Sequence, residues 1–262
     1  SFHNYNKEVS RVVTDSRKVD TGDCYIAIKG ENFDGNDFVD QAIDNGAIVV
    51  ISDKKIDRQE VITVKNTTLA LGKLAKAYLH QFNIKKLAVT GSSGKTTTKD
   101  MLYYAFAEHY NTHRNDGNFN NEIGMPLTAL NIDEKYEAAI FEMGMSSLGE
   151  IDYLAQIVRP NIAIITNIGT CHIELLKSQD NIFKAKMEIT NYMTKEDYLI
   201  VNGDDKFLSK LKDEDFEFNI IKTGFTIGSD LRAINYHTFG ETSKFTAEGL
   251  GIKQDFIIPA IG

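Results

Sequence analysis

Residues 89–100 read VTGSSGKTTTKD, and their types and spacing suit one task, gripping phosphate. Gly91 and Gly94 let the backbone turn tightly, so that N–H groups from Gly91, Ser92, Ser93 and Gly94 can converge on phosphate oxygens. A helix beginning just after them adds its positive N-terminal end. Lys95 would place a cation on the β- and γ-phosphates, Thr96 would offer a hydroxyl to Mg²⁺, and Thr97 completes the candidate set. The common Walker loop puts four residues before its closing Gly-Lys-Ser/Thr. Here only Ser92 and Ser93 separate the two glycines, and Val89 stands where a Walker glycine would fall. The bland alternative is a Gly/Ser turn before an exposed helix cap. An apolar strand before the loop and an amphipathic helix after it favour nucleotide binding.

Three further residues with ligand chemistry follow at similar places. Glu142 ends the run AAIFE, His172 follows TNIGTC, and Lys186 sits in FKAKMEI. Alone, His172 reads as an ordinary loop histidine and Lys186 as a solvated helix lysine. A shared edge of one parallel sheet would make Glu142 and His172 reasonable magnesium or substrate contacts.

The elements that must position them are legible as periodic runs. CYIAI (24–28), AIVVI (47–51) and VITV (61–64) read as strands of a small α/β unit. A helix over 38–45 should end at Gly46, and Asn66 should cap a longer helix with Leu69, Leu74, Ala77 and Tyr78 on one face. The polar break NIKK puts a domain boundary after residue 83. LAVT (87–90) then runs into the phosphate loop, and the next helix should turn Met101, Leu102, Ala105 and Phe106 to the core. Strand runs at 138–144, 161–169 and 198–205 alternate with helices at 148–158 and 181–193. This alternation predicts a mostly parallel, doubly wound sheet with ligands at the strand carboxyl ends. Beyond residue 215, FNIIKTGF, AINYHTF and KFTAEGLGIKQDFIIPA read as hairpin material. The expected class is α/β: a small domain over 1–83, then a P-loop-type domain over 84–262.

Composition narrows the partners. The 262 residues are 42% hydrophobic and 25% charged, with a formal charge of −8. That balance argues against general nucleic-acid or acidic-membrane binding. Cys24 and Cys171 lie in no metal-ligand spacing and read as reduced, buried thiols of a cytoplasmic protein. No apolar run is long enough to span a bilayer.

TGSSGKTTTK, NFNNEIGMPLT (118–128), FEMGMSSLGEI (141–151), ITNIGTCHIE (165–174), FKAKMEI and VNGDD (201–205) fall in that order. The ordered set resembles the Mur ligases, ATP-dependent amide-forming enzymes of peptidoglycan synthesis, across nearly the whole chain. The shortened loop is that family's form of the nucleotide loop. NFNNEIG, with EMGMS and GEI, is most similar to the branch that adds D-alanyl-D-alanine to UDP-N-acetylmuramoyl-tripeptide. VTDSRKVDTGDCYIAIKGENFDGNDF (13–38) resembles the family's uridine-nucleotide domain.

The resemblance implies roles. ATP would phosphorylate the muramyl peptide carboxylate, and an amine would attack the acyl phosphate. One Mg²⁺ would lie near Thr96 and Glu142. A second would be held by His172 and by Lys186 as a carbamate. Asn202 and Asp205 look like adenosine contacts, and Asn118, Asn120 and Asn121 would face the sugar-peptide and the phosphates. Ser16 and Arg17, with Asn32, Phe33 and Gly35, resemble uridine-diphosphate contacts, though N-F-D-G would equally make a surface turn.

The family also carries a third, amine-binding domain. The start SFHNYNKEVSRVVTD and the end FIIPAIG therefore read as the limits of a two-domain fragment, inactive as it stands. Other readings stay open: the sister branch that adds the third amino acid, the related half of cyanophycin synthetase, and a catalytically silent nucleotide-binding module. A P-loop kinase or GTPase is disfavoured by the short loop and the lack of an NKxD-like motif.

Overall fold

The computed structural model describes residues 8–30 and 32–259; the readings of the first residues, SFHNYNK, and of the closing AIG lie outside them. In chain order the elements are β1 (Val12–Val13), β2 (Cys24–Ile26), α1 (Val39–Asp44), β3 (Val49–Ser52), β4 (Val61–Thr63) and α2 (Thr67–Leu79). Next come β5 (Lys85–Thr90), α3 (Lys95–Ala107), β6 (Thr112–Arg114), α4 (Gly124–Leu130), β7 (Ala138–Glu142), α5 (Glu150–Val158) and β8 (Ile162–Ile165). The rest are α6 (Ile173–Leu176), α7 (Gln179–Met187), β9 (Tyr198–Asn202), β10 (Asn219–Gly224), β11 (Leu231–Phe239), β12 (Thr242–Gly249) and β13 (Ile252–Ile258).

Two compact units result. The first holds the chain up to Asn83 together with Phe119–Lys135; the second holds Ile84–Asn118 and the chain from Tyr136 onward. The sequence division left 84–262 continuous, but α4 packs with the first unit. Its Leu127 and Leu130, with Ile123 just before it, complete the apolar cluster of Cys24, Ile26, Ile28 and Leu71. No periodic signal marks so short a helix, so only its buried face reveals where it belongs.

In the first unit β1-β2-β3-β4 form a four-stranded parallel sheet. Asn66 does cap α2, its side chain accepting from the Leu69 N–H. The buried face of α2 is Thr67, Leu71, Gly72, Ala75 and Leu79, whereas Leu69 and Leu74 are exposed. The i, i+4 row at 67, 71, 75 and 79 fits one helical stripe better than the row chosen from the sequence.

The second unit is a nine-stranded sheet in the order β13-β12-β11-β10-β9-β8-β5-β7-β6. From β6 to β11 all pairs are parallel, and β11-β12-β13 close as two antiparallel hairpins. β10 thus continues the parallel sheet beside β9 instead of starting a hairpin. On α3, Leu102, Tyr103 and Phe106 pack on Leu87, Val89 and Ile140, while Met101 and Ala105 are exposed. Residue 99 on the inner side is a buried lysine. Strand order reverses around β5, which lies between β7 and β8. A ligand crevice is expected outside the carboxyl ends at such a point.

Candidate nucleotide site

Register puts the loop's neighbours in place. Val89 pairs with Glu142 on one side of β5, and Thr90 pairs with Ile165 on the other. The phosphate loop therefore emerges between the end of β7 and the turn after β8. That turn, residues 166–169, is bound to the loop through Thr166, Asn167 and Gly169. Thr166 Oγ1 donates to the Ser93 carbonyl at 2.6 Å, and the Asn167 amide donates to both the Ser93 carbonyl and Oγ. In return, the Ser93 N–H donates to Asn167 Oδ1, and the Ser92 Oγ accepts from the Gly169 N–H at 2.8 Å. Thr166, Asn167 and Gly169 escaped sequence reasoning, although TNIG stands in the quoted motif ITNIGTCHIE; their role depends on partners distant in sequence.

The two loop glycines have different causes. Gly91 has φ +152°, and a Cβ there would stand 1.8 Å from Thr166 Oγ1. Gly94 has φ +77°, caps α3 in the left-handed region, and would meet nothing within 4 Å. Gly94→Ala should therefore cost only the left-handed preference, about 1–2 kcal/mol. Gly91→Ala should cost more and also displace the Thr166–Ser93 contact. Urea melts of both variants test this ranking; an equal or reversed order would contradict the packing described.

Lys95 is half-buried, because its Nζ folds back to donate to the Gly91 carbonyl at 3.0 Å. No side chain caps the start of α3. One residue on, Thr96 Oγ1 donates to Glu142 Oε2 at 2.8 Å, and Glu142 is only 2% exposed. Thr97 is exposed on the first turn. A buried carboxylate held on a hydroxyl beside a lysine is a donor arrangement suited to a hard cation with phosphate oxygens.

Lys186 is the clearest departure from a solvated helix lysine. It is 3% exposed on α7, whose Ile182 and Ala185 are also buried. Among the described residues its ammonium has no hydrogen bond or ion pair. Burial, and then the charge of nearby Lys95, push its pKa down to about 8. Cys171 opposes that shift. This thiol is exposed, not buried, since it lies in the open turn before α6. Cys24 is buried, and burial raises its pKa to about 12.

His172 stands next to Cys171, exposed, with φ +63° at the start of α6. No hydrogen bond or ion pair joins it to the other candidates. Among the described residues, no three His, Cys, Asp or Glu side chains cluster as a metal site. Asn202 Oδ1 accepts from the Asp204 N–H. Asp205 spends both oxygens on backbone, one on Ile168 and the other on Phe207 and Leu208, so it ties the turn after β8 to the end of β9. Asn118 is exposed. Asn120 and Asn121 lie in the segment that packs with the first unit, where Asn121 Oδ1 caps α4 through the Ile123 and Gly124 N–H groups.

The first unit has its own cavity, about 480 Å³, lined by Ser16, Arg17, Tyr25, Phe33, Phe38 and Gln41 among others. Ser16 donates to Gln41 at 2.9 Å, and Arg17 makes a paired contact to Asp15 with its side chain 80% exposed. Gly35 lies behind the wall, with no room for a Cβ against Ile28, and accepts from the Tyr25 hydroxyl. Asn32 is exposed beside Phe33. Tyr25, Phe38 and Gln41 were missed because an apolar or neutral residue carries no chemical flag in sequence. No helix among the described residues is long and apolar enough to cross a membrane.

Known proteins share this sequence pattern and fold. Residues 89–262 match the Mur ligase middle domain, and residues 8–79 match the Mur ligase family, catalytic domain. The UDP-N-acetylmuramoyl-tripeptide–D-alanyl-D-alanine ligase of Bacillus subtilis is 40% identical over 255 residues, covering 96% of this chain and 54% of that protein. A crystal structure of MurF from Acinetobacter baumannii superposes with a TM-score of 0.92 at 34% identity, covering 97% of this chain and 56% of its own. MurF ligase from Thermotoga maritima, in complex with ADP, gives 0.88 at 30% identity, covering 97% and 59%. The chain thus spans little more than half the length of these relatives.

Proposed function

Because this chain belongs to the Mur ligase family, we propose that it supplies the uridine-nucleotide and ATP sites of an ADP-forming ligase of the MurF type. The reaction joins D-alanyl-D-alanine to UDP-N-acetylmuramoyl-tripeptide in peptidoglycan precursor synthesis. The observation that carries this reading is the short loop 91–95, bound to the turn after β8 and flanked by the Thr96–Glu142 pair. The similarity to MurF proteins supports the choice of branch over the one adding the third amino acid.

The γ-phosphoryl group of ATP passes to the tripeptide carboxylate and ADP leaves. The free amine of D-alanyl-D-alanine then attacks the acyl carbon, expels phosphate and loses a proton. The physical difficulty is holding a carboxylate against a triphosphate, which demands fixed positive charge. Lys95 and the loop N–H groups provide it on the phosphate side. Thr96 and Glu142 would hold one Mg²⁺, and His172 with Lys186 a second; bound there, the metals supply charge neutralisation. Lys186 is a ligand only as a carbamate, and its low pKa and buried setting favour the neutral amine that CO₂ requires. Asn202 and Asp205 would border the adenosine, with Asn118, Asn120 and Asn121 towards the sugar-peptide and phosphates. A reaction that consumes ATP and a nucleotide-linked precursor belongs in the cytoplasm.

Ser16, Arg17, Asn32, Phe33 and Gly35 would form the uridine-diphosphate site at the cavity of the first unit. Arg17 would turn from Asp15 to the pyrophosphate, which accepts two hydrogen bonds from one guanidinium. Arg17→Ala should then weaken uridine diphosphate by roughly ten- to a hundredfold in calorimetry. Unchanged affinity would remove this site assignment. The reading as a whole is tested by offering a protein that carries this chain at its relatives' full length D-alanyl-D-alanine against single amino acids. Amide formation with the dipeptide is expected, and preference for a single amino acid would return the chain to the sister branch.

A further inference from the structure

Lys99 lies one turn beyond Lys95 on α3, yet it points inward and is 2% exposed. Its Nζ donates to the Asn115 carbonyl at 3.0 Å and to the Gly117 carbonyl at 3.4 Å, with Asp100 at 3.5 Å. Asp100 in turn is bound by Arg114 at 2.7 Å. Asn115, fully buried, follows directly on β6, and its Oδ1 accepts from the Glu142 N–H at 2.8 Å. The side chain of Asn115 thereby continues the β6–β7 ladder past the last strand residue, Arg114. At the far end of the chain of contacts, Glu142 Oε2 takes the Thr96 hydroxyl. One helix thus touches Glu142 twice, directly through Thr96 and indirectly through Lys99 and Asn115.

A buried ammonium is costly, and an apolar residue would fill the inner face of α3 more cheaply. What the charge provides is two strong hydrogen bonds to carbonyls of a turn that has no regular structure of its own. We infer that Lys99 is a positioning residue: it fixes the turn 115–117, and through Asn115 it sets the backbone of Glu142 so that the carboxylate stays on Thr96. This rests on the nucleotide reading of the site but assigns a role to residues outside it.

The test uses the whole chain with Lys99→Met, which keeps the stem and removes the donors, and with Asn115→Ala, which removes the acceptor but leaves the carbonyls to Lys99. A non-hydrolysable ATP analogue is titrated with and without Mg²⁺, and amide exchange at Glu142 is followed. In each folded variant, affinity without Mg²⁺ should stay within about twofold, because Lys95 and the loop are intact. The gain on adding Mg²⁺ should shrink by about tenfold, and the Glu142 amide should exchange about tenfold faster. If Lys99→Met does not fold, Lys99→Gln, too short and uncharged to hold both carbonyls, is read in its place. An undiminished Mg²⁺ gain, or affinities that fall equally with and without Mg²⁺, would overturn the inference. A parent chain that binds no nucleotide would defeat the functional reading instead, and the exchange at Glu142 would still decide whether Lys99 positions it.

Discussion

Lys95→Ala should weaken ATP by roughly a hundredfold or more, with the fold unchanged. Lys95 is half-buried, and the only described polar contact of its ammonium is the Gly91 carbonyl. That contact closes the loop over itself and is replaceable by water. Its loss therefore costs little stability, while a triphosphate loses its nearest cation. The variant should also change Lys186. The charge of Lys95 is the second cause, after burial, of the low Lys186 pKa, so removing it should let that pKa rise. Calorimetry with ATP, alongside a thermal melt, checks both parts. Parental affinity in a folded variant would remove the phosphate-loop assignment.

Lys186→Ala should abolish nearly all ligation in a protein of full family length, and short carboxylic acids should partly restore it by supplying the missing anion. The same residue should work against stability. Its pKa in the fold, about 8, lies below the ordinary lysine value of 10.5. Below pH 8 the lysine is protonated folded and unfolded, and the burial cost is fully present. Between about 8 and 10.5 the unfolded chain binds more protons, so stability rises with pH across that window. The full effect is on the order of 3 kcal/mol. Lys186→Met should therefore be more stable than the parent at pH 7 and lack this rise, as urea melts at pH 7 and pH 10 would read. A parent whose stability does not rise over that interval, or a fully active Lys186→Ala, would contradict the role given to this lysine. Stability lost to a buried, unpaired cation is what a site prepared for an anionic partner shows.

The parts that were legible in sequence are those written in short-range spacing. The loop 91–97, the strand that feeds it and the cap at Asn66 each depend on a few consecutive residues, and each falls where expected. The parallel sheet was legible because apolar runs alternate with helical ones. Burial was not. The inner face of α2 was misassigned, and that of α3 was right for Leu102 and Phe106 but not for Met101 and Ala105, because several stripes of similar hydrophobicity compete on one helix and tertiary contact chooses among them. Lys99 and Lys186 read as solvent residues in any pattern, since nothing in a sequence marks a lysine whose stem is enclosed. The packing of 119–135 with the first unit was invisible for the same reason: Ile123, Leu127 and Leu130 show an apolar edge, but not which core accepts it. Thr166, Asn167 and Gly169 act at residue separations above seventy, where sequence offers no distance.

The central claim is that phosphate passes through the peptide carboxylate, and one isotope measurement reads it directly. A protein carrying this chain at full family length is given ATP, D-alanyl-D-alanine and UDP-N-acetylmuramoyl-tripeptide with both reacting carboxylate oxygens as ¹⁸O. One of those oxygens leaves with the phosphate when the amine attacks the acyl carbon, so each released phosphate should carry a single ¹⁸O by mass spectrometry, matched by one amide formed. Phosphate released without the label would contradict the account, because ATP would then be hydrolysed by water without ever activating the carboxylate.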